Sequence, residues 1–354
     1  MSNTFHKLTI KAVIQETSDT VSILFDMPDS LGSQFSFKAG QYLTLKAMIN
    51  GEDVRRSYSL SSAPHENEWK VGVKKVENGK FSTYAQTLKA GDQLEVMAPQ
   101  GNFTLKSNDV KHYVLYAAGS GITPMISITK YILNQNESTV TLFYGNRTVL
   151  DTVYKAELDE MVKNNSNFRL FYILSREDGD SSLHTGRIDS QKIKELYDEY
   201  LSQTQINDVY SCGPEQIIHA VNDFYTEKGL AKENIHFELF TTPVSDDAAI
   251  VSAQPNEIPD ITSSVTIIID DEEFDFNLES KGKDILQAAQ DADADVPFSC
   301  KGGVCCTCRA KVIEGRAVMD LNYALDPEEV EEGFILTCQA HPATEKVVIS
   351  FDEY

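Results

Sequence analysis

The stretch CKGGVCCTC, residues 300–308, decides the architecture, because it holds four of the six cysteines in a chain of 354 residues. Six cysteines are too few for a disulfide scaffold in a chain of this length. A tight group of thiols is more typical of a metal or redox site in a reducing compartment. The N-terminal region lacks the basic and apolar segments of a secretion signal, and no run of about 18 apolar residues occurs. We therefore expect a cytoplasmic protein with no membrane partner.

The cysteine spacing points to one kind of cluster. Cys300, Cys305 and Cys308 are separated by four and two residues, and Cys338 follows after twenty-nine more. This is the spacing of plant-type [2Fe–2S] ferredoxins, in which each iron takes two thiolates. Glycines after the first ligand supply the unusual backbone angles that a loop around a cluster needs. Cys306 is surplus to the spacing and is predicted to be a small buried residue. Structural zinc is the alternative, since zinc also binds four thiolates.

The region around these cysteines resembles a plant-type ferredoxin domain. VTIIIDDEEFDFNL resembles its opening hairpin, DILQAAQDADADVPFSC the helix that leads to the first ligand, and KVVISF its closing strand. The region is also acidic: residues 256–354 contain seven Lys and Arg against 22 Asp and Glu, within a net charge of −23 for the chain. This charge argues against nucleic-acid binding. It favours either a well-solvated surface or attraction of a basic partner.

The rest of the chain divides by its pattern of apolar residues. Residues 1–106 alternate apolar and polar positions in short runs, which predicts an antiparallel β-barrel. Residues 107–240 alternate apolar strands with helix-length segments, which predicts a doubly wound parallel α/β sheet. Residues 241–262 are rich in Pro, Ser, Asp and Ala, so we interpret them as a linker. Residues 263–354 then form the α+β ferredoxin domain of β-grasp type.

Two segments of the barrel resemble the flavin-binding motifs of the ferredoxin–NADP reductase family. They are RRSYSLSSAP (55–64) and ENGKFSTYAQTL (77–88), in which Ser82 is predicted to cap a helix. The resemblance implies that Arg56 neutralises a flavin phosphate, that Tyr58 packs on the ring and that Ser59 lies near its N5 atom. FAD is expected, with FMN as the alternative. The predicted flavin-binding set is Arg56, Ser57, Tyr58, Ser59, Gly79, Phe81 and Ser82.

The segment YVLYAAGSGITPM (113–125) predicts a strand, a glycine turn and a helix start. Glycines let the backbone approach a phosphate at such a turn. The segment departs from G-x-G-x-x-G, because Pro124 takes the third glycine position. It still resembles the pyridine-nucleotide motif of the same family. The predicted contacts here are Gly119, Ser120, Gly121, Thr123 and Pro124.

Two later segments complete the resemblance. SCGPEQII (211–218) resembles the Cys-Gly motif of the family, which places Cys212 and Gly213 at the nicotinamide. HFELF (236–240) resembles the last strand of the family, which places Glu238 and Phe240 near the flavin. Ser59, Cys212 and Glu238 are the predicted catalytic residues. Structural roles for the cysteine and the carboxylate are the alternative.

The nucleotide preference is predicted from the ends of two strands. Arg147 follows a strand at the place where a ribose-binding acid is otherwise expected, and Ser175 and Arg176 follow the next strand. Arginine and serine suit a 2′-phosphate, which favours NADPH over NADH. The alternative is that these arginines are ordinary surface residues.

The order of the parts predicts the chemistry. A hydride donor delivers two electrons, a cluster accepts one at a time, and a flavin converts between the two. The whole chain resembles the reductases of multicomponent oxygenases, which implies a di-iron oxygenase as acceptor, docking on the acidic ferredoxin domain. A reductase for a fatty-acid desaturase, a Rieske oxygenase or a hybrid-cluster protein is an alternative. A redox-sensing iron–sulfur protein is another.

Overall fold

The computed structural model describes residues 4–106, 109–135, 137–240 and 259–353. These residues form an antiparallel barrel, a parallel α/β sheet and a C-terminal ferredoxin fold, which confirms the predicted fold class. Most of the predicted linker lies outside the described residues. No helix within the described ranges is long and apolar enough to cross a membrane.

The first domain is a six-stranded antiparallel barrel with strand order β4-β3-β6-β1-β2-β5. An isolated bridge between Leu60 and Val71 links the end of β4 to β5 and closes it. One short helix, α1, follows β5. The bounds are β1 Phe5–Thr17, β2 Thr20–Asp26, β3 Tyr42–Ile49, β4 Glu52–Ser59, β5 Trp69–Lys74, α1 Lys80–Ala85 and β6 Gln93–Met97.

Strands β3 and β4 present two different faces because side chains alternate along a strand. Leu43 and Leu45 point into the barrel core, where neither is exposed to solvent. Thr44 and Ser57 are directly paired and lie on the opposite face, together with Tyr42. This outer face is polar and buried, so another part of the chain must cover it.

The second domain is a five-stranded parallel sheet with strand order β11-β10-β7-β8-β9. The order reverses between β7 and β10, which is where open α/β sheets bind their ligands. Helices pack on both sides of the sheet. The bounds are β7 His112–Ala118, α2 Ile122–Asn134, β8 Thr139–Asn146, α3 Lys155–Asn164, β9 Phe168–Leu174, α4 Ser190–Tyr200, β10 Asp208–Cys212, α5 Glu215–Glu227 and β11 Ile235–Glu238.

The third domain is a mixed sheet with strand order β13-β12-β18-β14-β16 and a separate β15–β17 pair. Strands β12 and β18 run parallel although they come from opposite ends of the domain. The first strand begins at Thr262, the last residue of the predicted linker. The bounds are β12 Thr262–Ile269, β13 Glu272–Glu279, α6 Ile285–Asp291, β14 Arg309–Glu314, β15 Ala317–Met319, α7 Pro327–Glu331, β16 Phe334–Leu336, β17 Ala340–Pro342 and β18 Lys346–Ser350.

Candidate functional site

The three predicted catalytic residues meet where the barrel joins the parallel sheet. Cys212 and Glu238 are register partners at the carboxyl ends of β10 and β11. The Ser59 hydroxyl, at the end of β4, donates a hydrogen bond of 3.2 Å to Glu238 Oε2. Residues far apart in the sequence therefore form one polar group, at the edge of the sheet where the strand order reverses.

Burial changes the protonation of this group. It raises the pKa of Glu238 to about 8, although the hydrogen bond from Ser59 acts in the opposite direction. Burial also raises the pKa of the Cys212 thiol well above its ordinary value, and the charge of Glu238 adds to the effect. At neutral pH the carboxyl holds a proton and the thiol is neutral. The carboxyl therefore keeps its proton near neutral pH, because burial disfavours its charged form.

The glycine turn packs directly on the Cys-Gly segment. A Cβ atom at Gly121 would lie 2.1 Å from the carbonyl oxygen of Cys212, so a larger residue cannot fit. A Cβ atom at Gly213 would lie 3.0 Å from the Cβ of Ala118, so this position is also tightly packed. Gly119 has a φ of 55° and faces open space. The two predicted nucleotide motifs thus form one site with an open backbone turn.

Two residues that were predicted as nucleotide contacts lie beneath the glycine turn. Thr123 is buried, and its hydroxyl donates to the carbonyl oxygen of Ser120 at 3.0 Å. Pro124 is also buried, in the first turn of α2. The structure therefore places both residues beneath the opening, where they hold Gly119 and Ser120 in position.

The end of β8 adds a residue that the sequence did not single out. Asn146 is 8% exposed, and its Nδ2 atom has no hydrogen-bond partner. Beside it, Arg147 and Arg176 are exposed and joined by a backbone hydrogen bond of 2.8 Å. Ser175 donates its hydroxyl to the Asn146 carbonyl at 3.1 Å. A buried donor that has no partner among the described residues and two exposed cations fit a phosphate-bearing nucleotide.

The flavin motif combines one exposed cationic side chain with two neighbouring aromatic rings. Arg56 is exposed at the end of the barrel, and the rings of Tyr58 and Phe81 lie 5.6 Å apart. Gly79, not Ser82, precedes the first turn of α1, so the predicted cap was placed wrongly. The Ser82 hydroxyl instead accepts from a backbone N–H of the preceding loop, at 3.2 Å from Val76 N. A Cβ at Gly79 would collide with this hydroxyl, which explains the glycine.

The last residue of the flavin prediction, Phe240, lies two positions after the end of β11. Its side chain is 39% exposed, which is unusual for a phenylalanine. An aromatic face left open beside the Ser59–Glu238 pair fits contact with a flat ring system.

The four predicted ligands converge on one loop. The Sγ atoms of Cys300 and Cys305 are 3.1 Å apart, and the thiol of Cys338 is within reach of Cys300 and Cys308. The last three of the four ligands are buried, with at most 6% exposure. Among the described residues, no three His, Cys, Asp or Glu side chains are grouped as a site for a metal ion. A two-iron cluster needs fewer protein ligands at each metal, since each iron takes only two thiolates.

The backbone of this loop matches the predicted need for unusual angles. Lys301 and Gly303 have φ values of 54° and 72°. The bend turns the Gly302 N–H towards Cys300 Sγ, at 3.4 Å. A backbone donor to a ligand sulfur is one of the features that set the potential of such clusters. The loop therefore suits a [2Fe–2S] cluster in its donor atoms and in its backbone.

The surplus thiol takes part in the local packing. Cys306 Sγ lies 3.2 Å from the carbonyl oxygen of Ala324, and its backbone N–H donates to the Tyr42 hydroxyl at 3.0 Å. Tyr42 belongs to β3 of the barrel, so the ferredoxin loop rests on the polar outer face of that strand. The sequence did not predict this contact.

Arg55 makes a second contact of this kind. The residue is 5% exposed, and its guanidinium binds Asp295 at 3.1 Å and the carbonyl oxygen of Val296 at 3.4 Å. The same group lies over the ring of Phe298, at 4.3 Å from its centre. All three partners belong to the segment just before the first cluster ligand. A charged residue next to the flavin motif thus holds the ferredoxin domain.

Together these features define a class: an iron–sulfur flavoprotein that oxidises a nicotinamide nucleotide. Comparison with protein-family models agrees. Residues 7–105 match the oxidoreductase FAD-binding domain, residues 115–223 the oxidoreductase NAD-binding domain, and residues 267–343 the 2Fe-2S iron-sulfur cluster binding domain. The predicted cofactors FAD, a nicotinamide nucleotide and a [2Fe–2S] cluster are confirmed.

Similar proteins extend the match to the full length. The chain is 38% identical to one of the subunits of the 1,2-phenylacetyl-CoA epoxidase of Escherichia coli, over 99% of this chain and 98% of that protein. It is 34% identical to the ferredoxin reductase component of the 3-ketosteroid-9-alpha-monooxygenase of Rhodococcus rhodochrous, over 97% and 96%. The structure of phthalate dioxygenase reductase shares the fold, with a TM-score of 0.60, 23% identity and 98% coverage of both chains.

The chain belongs to the family of ferredoxin–NADP reductase-like flavoproteins that carry a C-terminal plant-type [2Fe–2S] ferredoxin domain. It is an oxidoreductase of the electron-transfer type.

Proposed function

We propose that this chain passes electrons from NADPH through FAD and the [2Fe–2S] cluster to an oxygenase component. The proposed acceptor is the di-iron oxygenase of a phenylacetyl-CoA epoxidase system, which would place the chain in phenylacetate catabolism. The support is the 38% identity to a component of such an epoxidase over nearly the whole of both chains. The 34% identity to a 3-ketosteroid monooxygenase component makes that second oxygenase class the alternative acceptor.

One hydrogen bond supports direct electron transfer from the flavin to the cluster. Ser57, which stands between Arg56 and Tyr58 in the flavin motif, donates to the Ser299 hydroxyl at 2.9 Å. Ser299 directly precedes the first cluster ligand, Cys300. The flavin motif and the cluster loop are therefore in contact, as direct electron transfer between two cofactors requires.

Each group of residues has a defined task in this scheme. When bound, FAD accepts a hydride and returns electrons singly, and the cluster carries one electron at a time. Arg56 balances the charge of a flavin phosphate, and the Tyr58–Phe81 pair offers an aromatic wall. Glu238 holds a proton on its carboxyl group beside the Ser59 hydroxyl. This proton can be transferred to balance the charge that a hydride adds.

The donor preference rests on Arg147 and Arg176. Both guanidinium groups are exposed at neighbouring strand ends, at the edge that also carries the glycine turn. We expect Arg176→Ala to raise KM for NADPH at least about tenfold, because a charged hydrogen bond to the 2′-phosphate is lost. KM for NADH should change less than twofold. Equal changes for both nucleotides would contradict the assignment.

The acceptor is proposed to dock on the acidic ferredoxin domain. The turn between β12 and β13 exposes four consecutive carboxylates, Asp270, Asp271, Glu272 and Glu273. Such a surface attracts a basic partner, and the attraction weakens as salt screens it.

The test is reconstitution with purified oxygenase components under NADPH. We expect coupled turnover with the phenylacetyl-CoA epoxidase oxygenase, and a fall in kcat/KM for that oxygenase as the salt concentration rises. Coupling only to the 3-ketosteroid monooxygenase component would transfer the assignment to that acceptor. Coupling to neither component would reject an oxygenase of these two classes.

A further inference from the structure

A continuous chain of hydrogen bonds crosses the interface between the barrel and the ferredoxin domain. The Cys306 N–H donates to the Tyr42 hydroxyl at 3.0 Å, and this hydroxyl lies 3.2 Å from Thr307 Oγ1. Thr307 Oγ1 lies 3.2 Å from Thr44 Oγ1, which lies 3.2 Å from Ser57 Oγ. The Ser57 hydroxyl then donates to Ser299 at 2.9 Å. We call these five hydroxyl groups and one amide the interface chain.

The interface chain holds both arms of the cluster loop. Ser299 stands before the first ligand, and Cys306 and Thr307 stand between the second and the third. The barrel members, Tyr42, Thr44 and Ser57, share the outer face of β3 and β4. One rigid β-ladder therefore fixes the loop at two separate points.

The direction of donation along the chain follows from counting hydrogens. The Tyr42 oxygen accepts from the Cys306 amide, which leaves its own hydrogen free for Thr307. Thr307 can then donate to Thr44, and Thr44 to Ser57, whose hydrogen goes to Ser299. The hydroxyls of Tyr42, Thr307, Thr44 and Ser57 each donate once and accept once along this path, and the Ser299 hydroxyl accepts at its end. Tyr42 and Thr307 are only 4% and 1% exposed, so water cannot easily replace a lost partner.

We propose that Tyr42 is a positioning residue for electron transfer between flavin and cluster, acting through the interface chain. The proposal rests on the proposed function above. In each step one electron leaves the reduced flavin and one oxidised cluster gains it, with NADPH as the source of the pair. Tyr42 and its partners neither accept nor donate this electron. They fix the loop against the barrel, and displacement of a reacting group by about 1 Å can lower a rate up to a hundredfold.

Two variants break the chain at different places. Tyr42→Phe removes its first hydroxyl, and Thr44→Val removes a middle one at nearly constant volume. Tyr172→Phe is the matched control, because its hydroxyl binds Asp159 within the nucleotide domain at 2.8 Å. The holoprotein is mixed with NADPH without oxygen, and flavin bleaching and cluster reduction are followed separately. Amide hydrogen exchange of residues 300–308 is measured on the oxidised holoprotein, which gives a reading independent of turnover.

We expect flavin bleaching within twofold of the unaltered protein in all three variants. Cluster reduction should slow at least tenfold in Tyr42→Phe and in Thr44→Val, but not in Tyr172→Phe. The Cys306 amide should exchange faster in Tyr42→Phe only, because Thr44→Val leaves its acceptor in place. If Tyr42→Phe does not retain its cluster, Thr44→Val still decides the matter through its rate.

Cluster reduction within twofold of the unaltered protein in Thr44→Val, or in a cluster-loaded Tyr42→Phe, would overturn the positioning role. This outcome differs from a failure of the proposed function, in which the unaltered protein itself would bleach its flavin without reducing its cluster.

Discussion

The barrel makes two junctions of different character. Towards the nucleotide sheet it shares a hydrophobic core: Ala39 and Phe103 of the barrel pack among residues of β7, α2 and β8. Towards the ferredoxin domain the contact is polar. Besides the interface chain and Arg55, Asn102 donates to Glu329 at 2.7 Å and Lys106 pairs with Asp326 at 3.0 Å. The hydrophobic core of the ferredoxin domain draws its described residues from its own sequence, and its apolar contact with the nucleotide domain includes the partly buried Val304 and Tyr323. Shared cores are typical of permanent contacts, and polar interfaces of contacts that can separate.

The difference matches what each junction must do. A hydride would pass from nucleotide to flavin at the site where these two domains meet, so a fixed position of one domain against the other favours the transfer. The cluster must receive an electron from the flavin and give it to another protein. A polar contact can define the docked position of the ferredoxin domain. When the domain separates, such a contact exposes less apolar surface to water than a shared hydrophobic core would.

Removing a cluster ligand should have the largest effect and should leave the nucleotide junction intact. Cys338→Ser deletes one of four thiolates, so we expect complete loss of the EPR signal of the reduced cluster and of cytochrome c reduction. NADPH–ferricyanide activity should remain within about twofold, because ferricyanide can take electrons from the flavin. Cys306→Ser is the matched control and should keep its cluster. Loss of the cluster in the control as well would undermine the ligand assignment.

Weakening the ferredoxin junction should come next. Arg55→Ala removes the ion pair with Asp295, the hydrogen bond to Val296 and the ring contact with Phe298 across this junction. It also removes an ion pair with Asp53 within the barrel. We expect flavin-to-cluster transfer to slow about tenfold. Flavin bleaching by NADPH should stay unchanged. Lys74→Ala, which breaks an ion pair with Asp19 elsewhere on the barrel, is the control. Rapid-mixing absorbance measures both phases, and equal slowing in the two variants would argue against a specific contact.

The nucleotide junction has a charged group that can be tested in the same way. Glu157 binds Lys70 and Lys130 at 3.2 and 2.5 Å, and Lys70 comes from the barrel. Burial acts to raise the pKa of Glu157, but the two lysines outweigh it and lower the pKa. We expect Glu157→Gln to cost about 1–2 kcal/mol of unfolding free energy, since the pair is partly exposed.

The pH dependence of this loss has a definite sign. A carboxylate with a lowered folded pKa stabilises the fold above its unfolded pKa, and the contribution is lost as the pH falls through the folded value. The deficit of Glu157→Gln should therefore be full at pH 7 and should shrink below about pH 4.5. Glu160→Gln, on the same helix but exposed, should show no such trend in denaturant unfolding.

Glu238 should give a change in stability with pH that is opposite in sign to that of Glu157. Its pKa is raised to about 8, so its stabilising protonated form is fully present below the unfolded pKa and is lost as the pH rises through the folded value. Glu238→Gln imitates the neutral acid. Its Tm relative to the unaltered holoprotein should increase between pH 5 and pH 9, by a few degrees in total. A flat difference across this range, as we expect for exposed Glu233→Gln, would contradict the raised pKa.

The sequence predicted those parts that follow from local patterns. The spacing of Cys300, Cys305, Cys308 and Cys338 predicted the cluster loop, and alternation of apolar residues predicted the barrel and the sheet. The glycine turn was predicted because glycines let the backbone come close to a phosphate. Such signals lie within a few residues of one another, so one sequence is enough to reveal them.

The interface could not be predicted, because its partners are far apart in the chain. Tyr42 and Thr307 are 265 positions apart. Thr307 lies in the cluster motif, but no local pattern around it or around Tyr42 indicates that the two side chains meet. Asn146 stands in a strand end that looks ordinary until its buried amide is found without a partner. The cap of α1 was misplaced at Ser82 because a serine is a common cap, whereas the close packing at Gly79 appears only in three dimensions.

The central claim is that electrons run from nucleotide to flavin to cluster within this one chain. Anaerobic titration of the purified protein with NADPH, followed by absorbance and EPR, tests it most directly. The account predicts bleaching of the flavin together with the EPR signal of a reduced [2Fe–2S] cluster, in a protein that contains two irons for each flavin. A flavin that bleaches while no iron–sulfur signal forms, in protein that contains zinc or no metal, would contradict it.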